Sequence, residues 1–152
     1  MTTEATPQDD LPPSHYHDLA EFRRQIRRYL HFSESAARAH GVEPQQHQLL
    51  LVVRALPPNV PPTIGEIASR LFLEHHSTVE LANRLERKQL IVREPSQEDR
   101  RQVHIRLTAE GLDLLRRLAL AHRAELERSG PELARALQAT LRNFRRSQVS
   151  PV

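Results

Sequence analysis

Apolar residues between Thr63 and Leu107 recur first with the period of a helix and then with the period of a strand. A short helix is predicted to begin at Thr63, because the Thr63 hydroxyl can accept from the amide of Glu66 while the Glu66 side chain bonds back to the amide of Thr63. The apolar side chains of this helix follow the i, i+3, i+4, i+7 spacing of a single face. They are Ile64, Ile67, Ala68 and Leu71.

The next predicted helix, from about Glu74 to Arg87, has an apolar face and a polar face. The inner face consists of Thr78, Leu81, Ala82 and Leu85, with Val79 at its margin. The outer face consists of His76, Ser77, Glu80, Asn83, Arg84 and Arg87. Arginine can hydrogen-bond guanine, asparagine can hydrogen-bond adenine, and glutamate can accept a hydrogen bond from cytosine. A helix also fits the width of the major groove of DNA. The alternative is a solvated face, because any surface helix carries polar residues opposite its core stripe.

Glu80 has a second interpretation of its own. It lies three residues after Ser77 and could serve a local cap there instead of facing DNA. A helix that begins near Glu74 would place Glu80 in mid-helix, with its carboxylate directed outward.

Two predicted strands follow, Leu90 to Pro95 and Gln102 to Leu107. In the second strand the inward residues are Val103, Ile105 and Leu107, and the outward residues are His104 and Arg106. The loop between the strands contains Asp99, Arg100 and Arg101. A hairpin with arginines near its tip, placed directly after a recognition helix, can lie along the DNA backbone or reach the minor groove. Asp99 would orient an arginine or hold the loop, and an ordinary loop with exposed charges is the alternative.

Five sequence fragments resemble the MarR family of bacterial transcriptional regulators. They are TIGEIASRL (Thr63 to Leu71), HHSTVELANRLERK (His75 to Lys88), LIVREP (Leu90 to Pro95), EDRR (Glu98 to Arg101) and RLTAEG (Arg106 to Gly111). Their order and spacing are specific, and flanking helices of suitable length extend the match from about Asp18 to Phe144. The sequence departs from the family at Gln89, where the family usually has glycine. Gln89 must therefore adopt a left-handed backbone, or the turn is built differently.

The resemblance implies a mainly α fold with a small β-hairpin wing, namely a winged helix-turn-helix with N- and C-terminal dimerisation helices. It also implies a homodimer that binds a pseudo-palindromic double-stranded DNA operator, acts as a repressor, and releases the operator when a small-molecule effector binds. The residues carried over to the major groove are His76, Ser77, Glu80, Asn83 and Arg84. Those carried over to the wing are Asp99, Arg100 and Arg101.

The remaining segments are predicted to surround the winged unit, which is expected to span residues 42–107. Residues 1–13 are predicted to form a disordered or extended tail, and 14–41 with 108–149 a helical dimerisation region. Within the helical dimerisation region we expect one helix from Asp18 to His40. Within the winged unit we expect a nearly all-apolar helix from Pro44 to Leu56, which should be the most buried helix. After the wing, a helix capped by Thr108 is expected to end at Ser129, and Gly130-Pro131 is expected to separate it from a last helix.

The terminal helices are amphipathic and are not needed to complete the winged unit. We expect them to bury leucines against a symmetric copy of the chain. The residues predicted for this dimerisation are Leu19, Phe22, Leu126, Leu133, Leu137 and Leu141. The alternative, that these helices pack back on their own domain, is stronger for the helix after the wing than for the last helix.

Charge and composition limit the functions that the chain can have. Its 22 basic and 19 acidic side chains give a net charge of only +3, so DNA affinity should depend on where the arginines lie rather than on bulk charge. The absence of cysteine excludes disulfides and a thiol-based sensor. Without an apolar run of membrane length or a secretory signal, we expect a cytoplasmic protein with no membrane partner. No Gly-rich phosphate loop, nucleophile elbow or zinc-hydrolase spacing is present, so neither an enzyme nor a cofactor is predicted.

Nine histidines raise the question of a metal site. His15 and His17 fall in or near the predicted tail, and the others are distributed over the helices and the wing. No pair has the i, i+4 spacing of metal ligands within one helix, so a zinc site would have to be assembled from separate elements. We expect scattered surface and boundary histidines and no metal site instead. The alternative function is a winged-helix module that binds an acidic protein partner without sequence-specific DNA binding. The two functions can be distinguished, because a DNA-binding regulator should bind its operator with an affinity that falls steeply with salt and should prefer that operator to random DNA.

Overall fold

The structure is a computed structural model that describes residues 11–148. Five helices and one two-stranded antiparallel sheet make up this part of the chain. In chain order they are α1 (Pro13–Ala39), α2 (Pro44–Ala55), α3 (Ile64–Leu71), α4 (His75–Arg87), β1 (Ile91–Pro95), β2 (Val103–Leu107) and α5 (Ala109–Gln148). The mainly helical class with a hairpin is as predicted.

The chain divides into two compact units, which are described separately. The first unit, here the helical unit, contains residues up to Phe32 and from Arg123 onward. The second, here the winged unit, is Ser33–His122. Helices α1 and α5 each contribute to both units.

The core of the winged unit is aliphatic, as the low aromatic content requires. Its fully buried large side chains come from α2, α3, α4, both strands and α5. They are Leu49, Leu50, Ile67, Leu85, Ile91, Ile105 and Leu118. Burying each such side chain contributes about 1.5–3 kcal/mol, so this cluster fixes how the two short helices and the hairpin pack together.

Helix α3 begins as predicted, with half of the expected cap. The Thr63 hydroxyl accepts from the amide of Glu66 at 3.2 Å. The reciprocal bond from Glu66 to the Thr63 amide is not formed, because the Thr63 amide donates instead to the carbonyl of Pro61 at 2.8 Å. The Glu66 carboxylate accepts from Arg70 at 2.6 Å. The predicted inner face is confirmed, with Ile67 and Ala68 buried and the other two members half-buried.

Helix α2 is less buried than its sequence suggests. Pro44 occupies its first turn, and Leu49 and Leu50 are buried. Leu51, however, is 48% exposed, and Val52 and Val53 are only half-buried. The burial of α2 is therefore confined to one side, because within one chain a single face of α2 meets the core.

The hairpin pairs Ile91 with Leu107 and Pro95 with Val103 in antiparallel register. Ile105 is buried and its amide donates to the carbonyl of Pro62 at 2.9 Å, so the segment before α3 lies along β2. Val103, which was predicted to point inward, is 47% exposed. It pairs with Pro95 at the loop end of the hairpin, beyond the reach of the core.

Helix α5 is continuous over 40 residues and contains Pro131, which corrects the predicted break at Gly130-Pro131. A proline inside a helix removes one hydrogen bond and costs about 3 kcal/mol. The buried positions nevertheless pass across Pro131 with unbroken helical spacing: they are Glu125, Ser129, Ala136 and Thr140. A continuous packed face therefore offsets the local cost. The predicted N-terminal cap is confirmed, since the Thr108 hydroxyl accepts from the amide of Gly111 at 3.0 Å.

Helix α1 begins at Pro13, five residues before its predicted start at Asp18. Pro13 suits the first helical position, where no amide donor is needed. The predicted tail therefore ends earlier than expected, and the part of that prediction on residues 1–10 lies outside the described residues. None of the helices within residues 11–148 combines the length and apolar character needed to cross a bilayer.

Candidate nucleic-acid interface

Helix α4 has the inner face that its sequence predicts. Its buried residues are Thr78, Leu81, Ala82 and Leu85, and Val79 is half-buried at the margin. The Thr78 hydroxyl donates to the carbonyl of Glu74 at 3.0 Å, which closes the first turn next to the cap residue. The helix is thus fixed to the core along one side only, and its opposite side is presented outward.

The five residues predicted for the major groove lie together on that outward side. His76, Glu80 and Arg84 are exposed, and Ser77 and Asn83 are half-buried. Because the helix is capped at Glu74, Glu80 lies in mid-helix rather than at a cap. Its carboxylate lies 3.7 Å from the Arg84 guanidinium, with both side chains more than half exposed. This exposed pair is weak enough to exchange for other hydrogen-bond partners.

Helix α4 ends in a turn that Gln89 forms with a left-handed backbone, φ 61°. The amide of Gln89 donates to the carbonyl of Glu86 at 2.9 Å, and the amide of Leu90 donates to that of Leu85 at 3.1 Å. These are the two bonds of the Schellman motif, which usually has glycine at the left-handed position. Of the two expected arrangements, the left-handed backbone is therefore confirmed, and Gln89 carries the strain that glycine avoids.

The loop of the wing is held by its own hydrogen bonds. The buried Ser96 hydroxyl accepts from the amides of Glu98 and Asp99, at 3.3 Å and 3.2 Å. The Asp99 carboxylate accepts from the backbone amide of Arg101 at 3.0 Å. Asp99 therefore holds the loop rather than a guanidinium group, which decides between the two roles expected for it.

Arg100 and Arg101 are exposed at the tip of this loop. Neither makes an ion pair with any residue in 11–148. A fixed backbone that carries two unpaired guanidinium groups is suited to contact phosphate, since arginine presents its donors in a rigid fork.

Arg93 is a further residue at this surface, and the sequence pattern does not indicate its role. Its guanidinium donates to the Glu86 carboxylate at 2.7 Å and to the Val79 carbonyl at 3.4 Å. It thereby joins β1 to the side of α4, and it is only 25% exposed. The sequence gives no signal for this contact beyond an arginine at an outward strand position, because its partners depend on how the strand packs on the helix.

The six residues predicted for dimerisation all lie in the helical unit. Leu19, Leu126, Leu137 and Leu141 are exposed, and Phe22 and Leu133 are half-buried. The side chains buried within this unit are mainly small or polar: His15, Gln25, Glu125, Ser129, Ala136 and Thr140. Several exposed leucines on one pair of helices form an apolar surface of the kind that marks interaction sites.

The histidines are placed differently from the predicted scatter. His15 and His17 belong to α1 rather than to a tail, and His15 is buried with its ring 5.9 Å from that of Phe144. In the winged unit, the rings of His47 and His122 are 5.0 Å apart. Burial, followed by the neighbouring His122 and His40, lowers the pKa of His47 to about 4. Among residues 11–148, no group of three or more potential ligands is arranged to hold a metal ion.

Known proteins resemble this chain in sequence and in fold. Residues 40–102 match the family model of the MarR family. AbsC of Streptomyces coelicolor, a MarR family transcriptional regulator, is 20% identical with a TM-score of 0.68, and the match covers 90% of this chain and 97% of AbsC. No curated protein matches the sequence.

Two structures of CouR show the same fold with ligands. The transcriptional repressor CouR bound to a 23-mer DNA duplex is 26% identical with a TM-score of 0.62, covering 80% of this chain and 87% of that one. CouR from Rhodococcus jostii RHA1 bound to p-coumaroyl-CoA is 21% identical with a TM-score of 0.63, covering 86% and 91%. The arrangement of helices and hairpin described above is therefore a fold that solved MarR family regulators share.

Proposed function

Since residues 40–102 belong to the MarR family of transcriptional regulators, we propose that this protein is a homodimeric regulator that binds specific double-stranded DNA sequences. One observation carries the proposal. Helix α4 is fixed to the core on one side and presents five hydrogen-bonding side chains on the other, directly before a hairpin with two unpaired arginines. The proposal includes no catalytic role and no cofactor.

In the proposed complex, α4 lies in the major groove. Arg84 is suited to guanine and Asn83 to adenine, because each can make a bidentate contact with that base. Glu80 has two uses, since its carboxylate can accept from cytosine or hold Arg84 in place. The 3.7 Å separation of Glu80 and Arg84 leaves both side chains able to turn toward a base. His76 and Ser77, near the start of the helix, complete the predicted contact surface.

The wing is proposed to contact the DNA backbone. Arg100 and Arg101 supply charge at the loop tip, and the bonds of Ser96 and Asp99 keep that tip in one shape. Phosphate contacts fix the register of a protein on the duplex, whereas base contacts carry the sequence information. The two arginines would therefore contribute affinity, and α4 would contribute preference.

A homodimer is proposed because one α4 and one wing offer few contacts. Two copies related by a two-fold axis would present two recognition helices to half-sites about 34–36 Å apart, one turn of DNA. The exposed residues Leu19, Leu126, Leu137 and Leu141, with Phe22 and Leu133 beside them, supply an apolar surface for this contact. A pseudo-palindromic operator would follow from the symmetry.

Repression and control by a small molecule are proposed from the likeness to CouR. The CouR structures include one bound to DNA and one bound to p-coumaroyl-CoA. An effector that binds one arrangement of the recognition helices better than another would shift DNA occupancy by its difference in affinity.

The proposal is tested by selecting bound fragments from a random DNA pool with the purified protein. We expect an enriched palindrome whose half-site centres are about 10 base pairs apart, and affinity for it that falls steeply with added salt. Replacing both Asn83 and Arg84 with alanine should abolish the enrichment. The control variant Arg123→Ala removes an exposed arginine from α5 and should leave it intact. A pool with no enriched sequence at any salt concentration would overturn the proposal and favour a protein-binding module.

A further inference from the structure

Lys88 is the only lysine in the sequence, and it lies at the end of α4, where it is the C-cap residue. Its ammonium group donates to the carbonyl oxygen of Gly41 at 2.7 Å and to the side-chain oxygen of Gln46 at 3.2 Å. These two bonds are here called the Lys88 bridge. They join the end of the proposed recognition helix to a part of the chain more than forty positions earlier.

Both acceptors of the Lys88 bridge are themselves fixed. Gly41 forms the turn after α1 with φ +83°, and its amide donates to the carbonyl of Arg38 at 3.0 Å. Gln46 is only 3% exposed, and its side-chain oxygen also accepts from the amide of Glu43, in the capping box that begins α2. The ammonium group therefore ties the end of α4 to the end of α1 and the beginning of α2.

The chemistry of this position suits lysine. The ends of α1 and α4 are both the negative end of a helix dipole, which a cation stabilises. Lysine is a compact charge with three donors, enough for the two neutral oxygens of the bridge. Lys88 makes no ion pair with a carboxylate among residues 11–148.

The two residues after Lys88, Gln89 and Leu90, are held by hydrogen bonds from Thr108. The Thr108 hydroxyl donates to the carbonyl of Gln89 at 2.7 Å, and the Thr108 amide donates to the carbonyl of Leu90 at 3.1 Å. Thr108 is also the cap of α5. The junction of residues 88–90 is thus anchored to α1 and α2 by Lys88 and to the beginning of α5 by Thr108.

We propose that Lys88 is a positioning residue for DNA recognition, which sets the direction of α4 through the Lys88 bridge and does not itself contact DNA. This inference rests on the proposed function. If the bridge is lost, the end of α4 still packs on the core through Leu85 but is no longer bonded to Gly41 and Gln46. The outward face would then vary in direction, so a dimer would bind its operator less tightly and discriminate less between half-site spacings.

The main rival is that Lys88 binds a phosphate directly, since it is an exposed cation beside α4. The two roles differ in their response to salt. Removing a phosphate contact lowers the slope of log affinity against log salt by about 0.9. Removing a positioning residue lowers the affinity and leaves that slope unchanged.

The test compares Lys88→Met with Gln46→Leu, which removes an acceptor of the bridge without changing charge, and with both changes together. On the selected operator we expect each single variant to bind about tenfold more weakly, as for the loss of a charged hydrogen bond. The double variant should be no weaker than Lys88→Met alone, because Gln46 contributes to the bridge only through the Lys88 ammonium group. Additive losses, or a salt slope lowered in Lys88→Met as in the wing variant Arg100→Met, would overturn the proposal.

Operator spacing gives a second readout that simple loss of stability would not change. On operators with one base pair added or removed between the half-sites, wild-type affinity should fall steeply, and the affinity of Lys88→Met should fall less. Lys88→Arg keeps the charge and the donors, so it should recover at least part of the discrimination. An unchanged spacing preference in Lys88→Met would overturn the inference.

Hydrogen exchange without DNA separates failure of this inference from failure of the proposed function. In Lys88→Met, the amides of Gln89 and Leu90 should exchange faster than in wild type, while the buried amides of α3 stay unchanged. If the wild-type protein binds no DNA, the proposed function fails, and faster exchange still supports the bridge as the tie that holds α4. Equal exchange in the two proteins contradicts the inference whatever the DNA result.

Discussion

Gly111 lies so close to Leu90 that a Cβ atom on residue 111 would be 2.1 Å from the carbonyl oxygen of Leu90. This oxygen also accepts a hydrogen bond from the amide of Thr108, the cap residue of α5, so it cannot move away without breaking that bond. We therefore expect Gly111→Ala to lower the free energy of unfolding by about 1–3 kcal/mol, the range for overpacking. Urea denaturation followed by circular dichroism measures the change.

The matched control for Gly111→Ala is Gly65→Ala in α3. A Cβ atom on Gly65 meets nothing within 4 Å, so alanine should raise the free energy of unfolding by about 0.5–1 kcal/mol through its better helix propensity. Equal effects of the two substitutions would mean that the contact of Gly111 with Leu90 does not matter.

Phe72 has a left-handed backbone, φ 54°, in the turn between α3 and α4, and its side chain is 95% exposed. The left-handed conformation costs a residue with a Cβ atom about 1–2 kcal/mol, and the exposed ring gains little burial. Phe72→Gly should therefore raise the free energy of unfolding by about 0.5–1 kcal/mol after the entropy of glycine is included. Phe72→Ala keeps the Cβ atom and should change it little, so a gain with alanine as large as that with glycine would argue against backbone strain.

Arg84 and the two wing arginines are expected to affect DNA binding in different ways. Arg84→Ala should alter base preference at one position of each half-site and cost about 1–3 kcal/mol on the preferred sequence. Arg100→Ala and Arg101→Ala should lower affinity for all sequences alike and reduce the salt slope by about 0.9 each. The measurement is a set of binding curves on the selected operator and its single-base variants at several salt concentrations. If Arg84→Ala weakens binding to every sequence equally, α4 does not face the bases as proposed.

Acid should destabilise the protein through His47. The pKa of His47 is about 4 in the folded chain, because burial disfavours the charged ring, against 6.5 as its ordinary value. Between these values the unfolded chain binds the proton and the folded chain does not. The stability contributed by neutral His47 is therefore complete above pH 6.5 and is lost as the pH falls toward 4. The loss should be on the order of 2 kcal/mol.

The measurement is the free energy of unfolding at intervals from pH 7 to pH 4.5. His47→Leu should flatten the slope in this window, while His76→Gln, at an exposed position of α4, should retain it. Carboxylates with a lowered pKa contribute below the window: Arg24 and Gln25 lower the pKa of Glu21 from 4.5 to about 2 by hydrogen bonding. A slope that persists in His47→Leu would assign the acid sensitivity to other groups.

The exposed leucines of the helical unit should hold two copies together. Replacing both Leu126 and Leu137 with glutamate should weaken the dimer by at least about 100-fold, since burying each leucine contributes about 1.5–3 kcal/mol. Sedimentation equilibrium measures the dimer constant, and DNA affinity should fall with it. Gln138→Glu adds one charge at a neighbouring exposed position and should leave the dimer intact. A wild-type chain that sediments as a monomer would exclude this role for the leucines.

The faces of α3 and α4 could be predicted from the sequence because burial there follows one simple period. Thr78, Leu81, Ala82 and Leu85 are the inner face by spacing alone, and the structure buries all four. The hairpin was predictable for the same reason, although Val103 shows that alternation does not say where the core ends.

Features that depend on contacts distant in sequence could not be predicted. The Lys88 bridge joins Lys88 to Gly41, 47 positions earlier, and to Gln46, 42 positions earlier. No periodic pattern in the sequence indicates such a pairing. The local rule for helix breaking predicts a break at Pro131, whereas the packed face that continues on both sides of this residue keeps α5 continuous. Asp99 had two open roles, and the choice depended on a backbone amide whose direction the sequence does not encode.

Both helices of the helix-turn-helix end in a left-handed residue that is not glycine, Phe72 after α3 and Gln89 after α4. Natural sequences need only exceed a threshold of stability, and improvements of this kind remain accessible to them. Glycine at either position should raise the free energy of unfolding, and laboratory evolution could select such substitutions. A background strengthened in this way would tolerate costly replacements on the outer surface of α4, and it is the natural starting point for retargeting this protein to a chosen promoter.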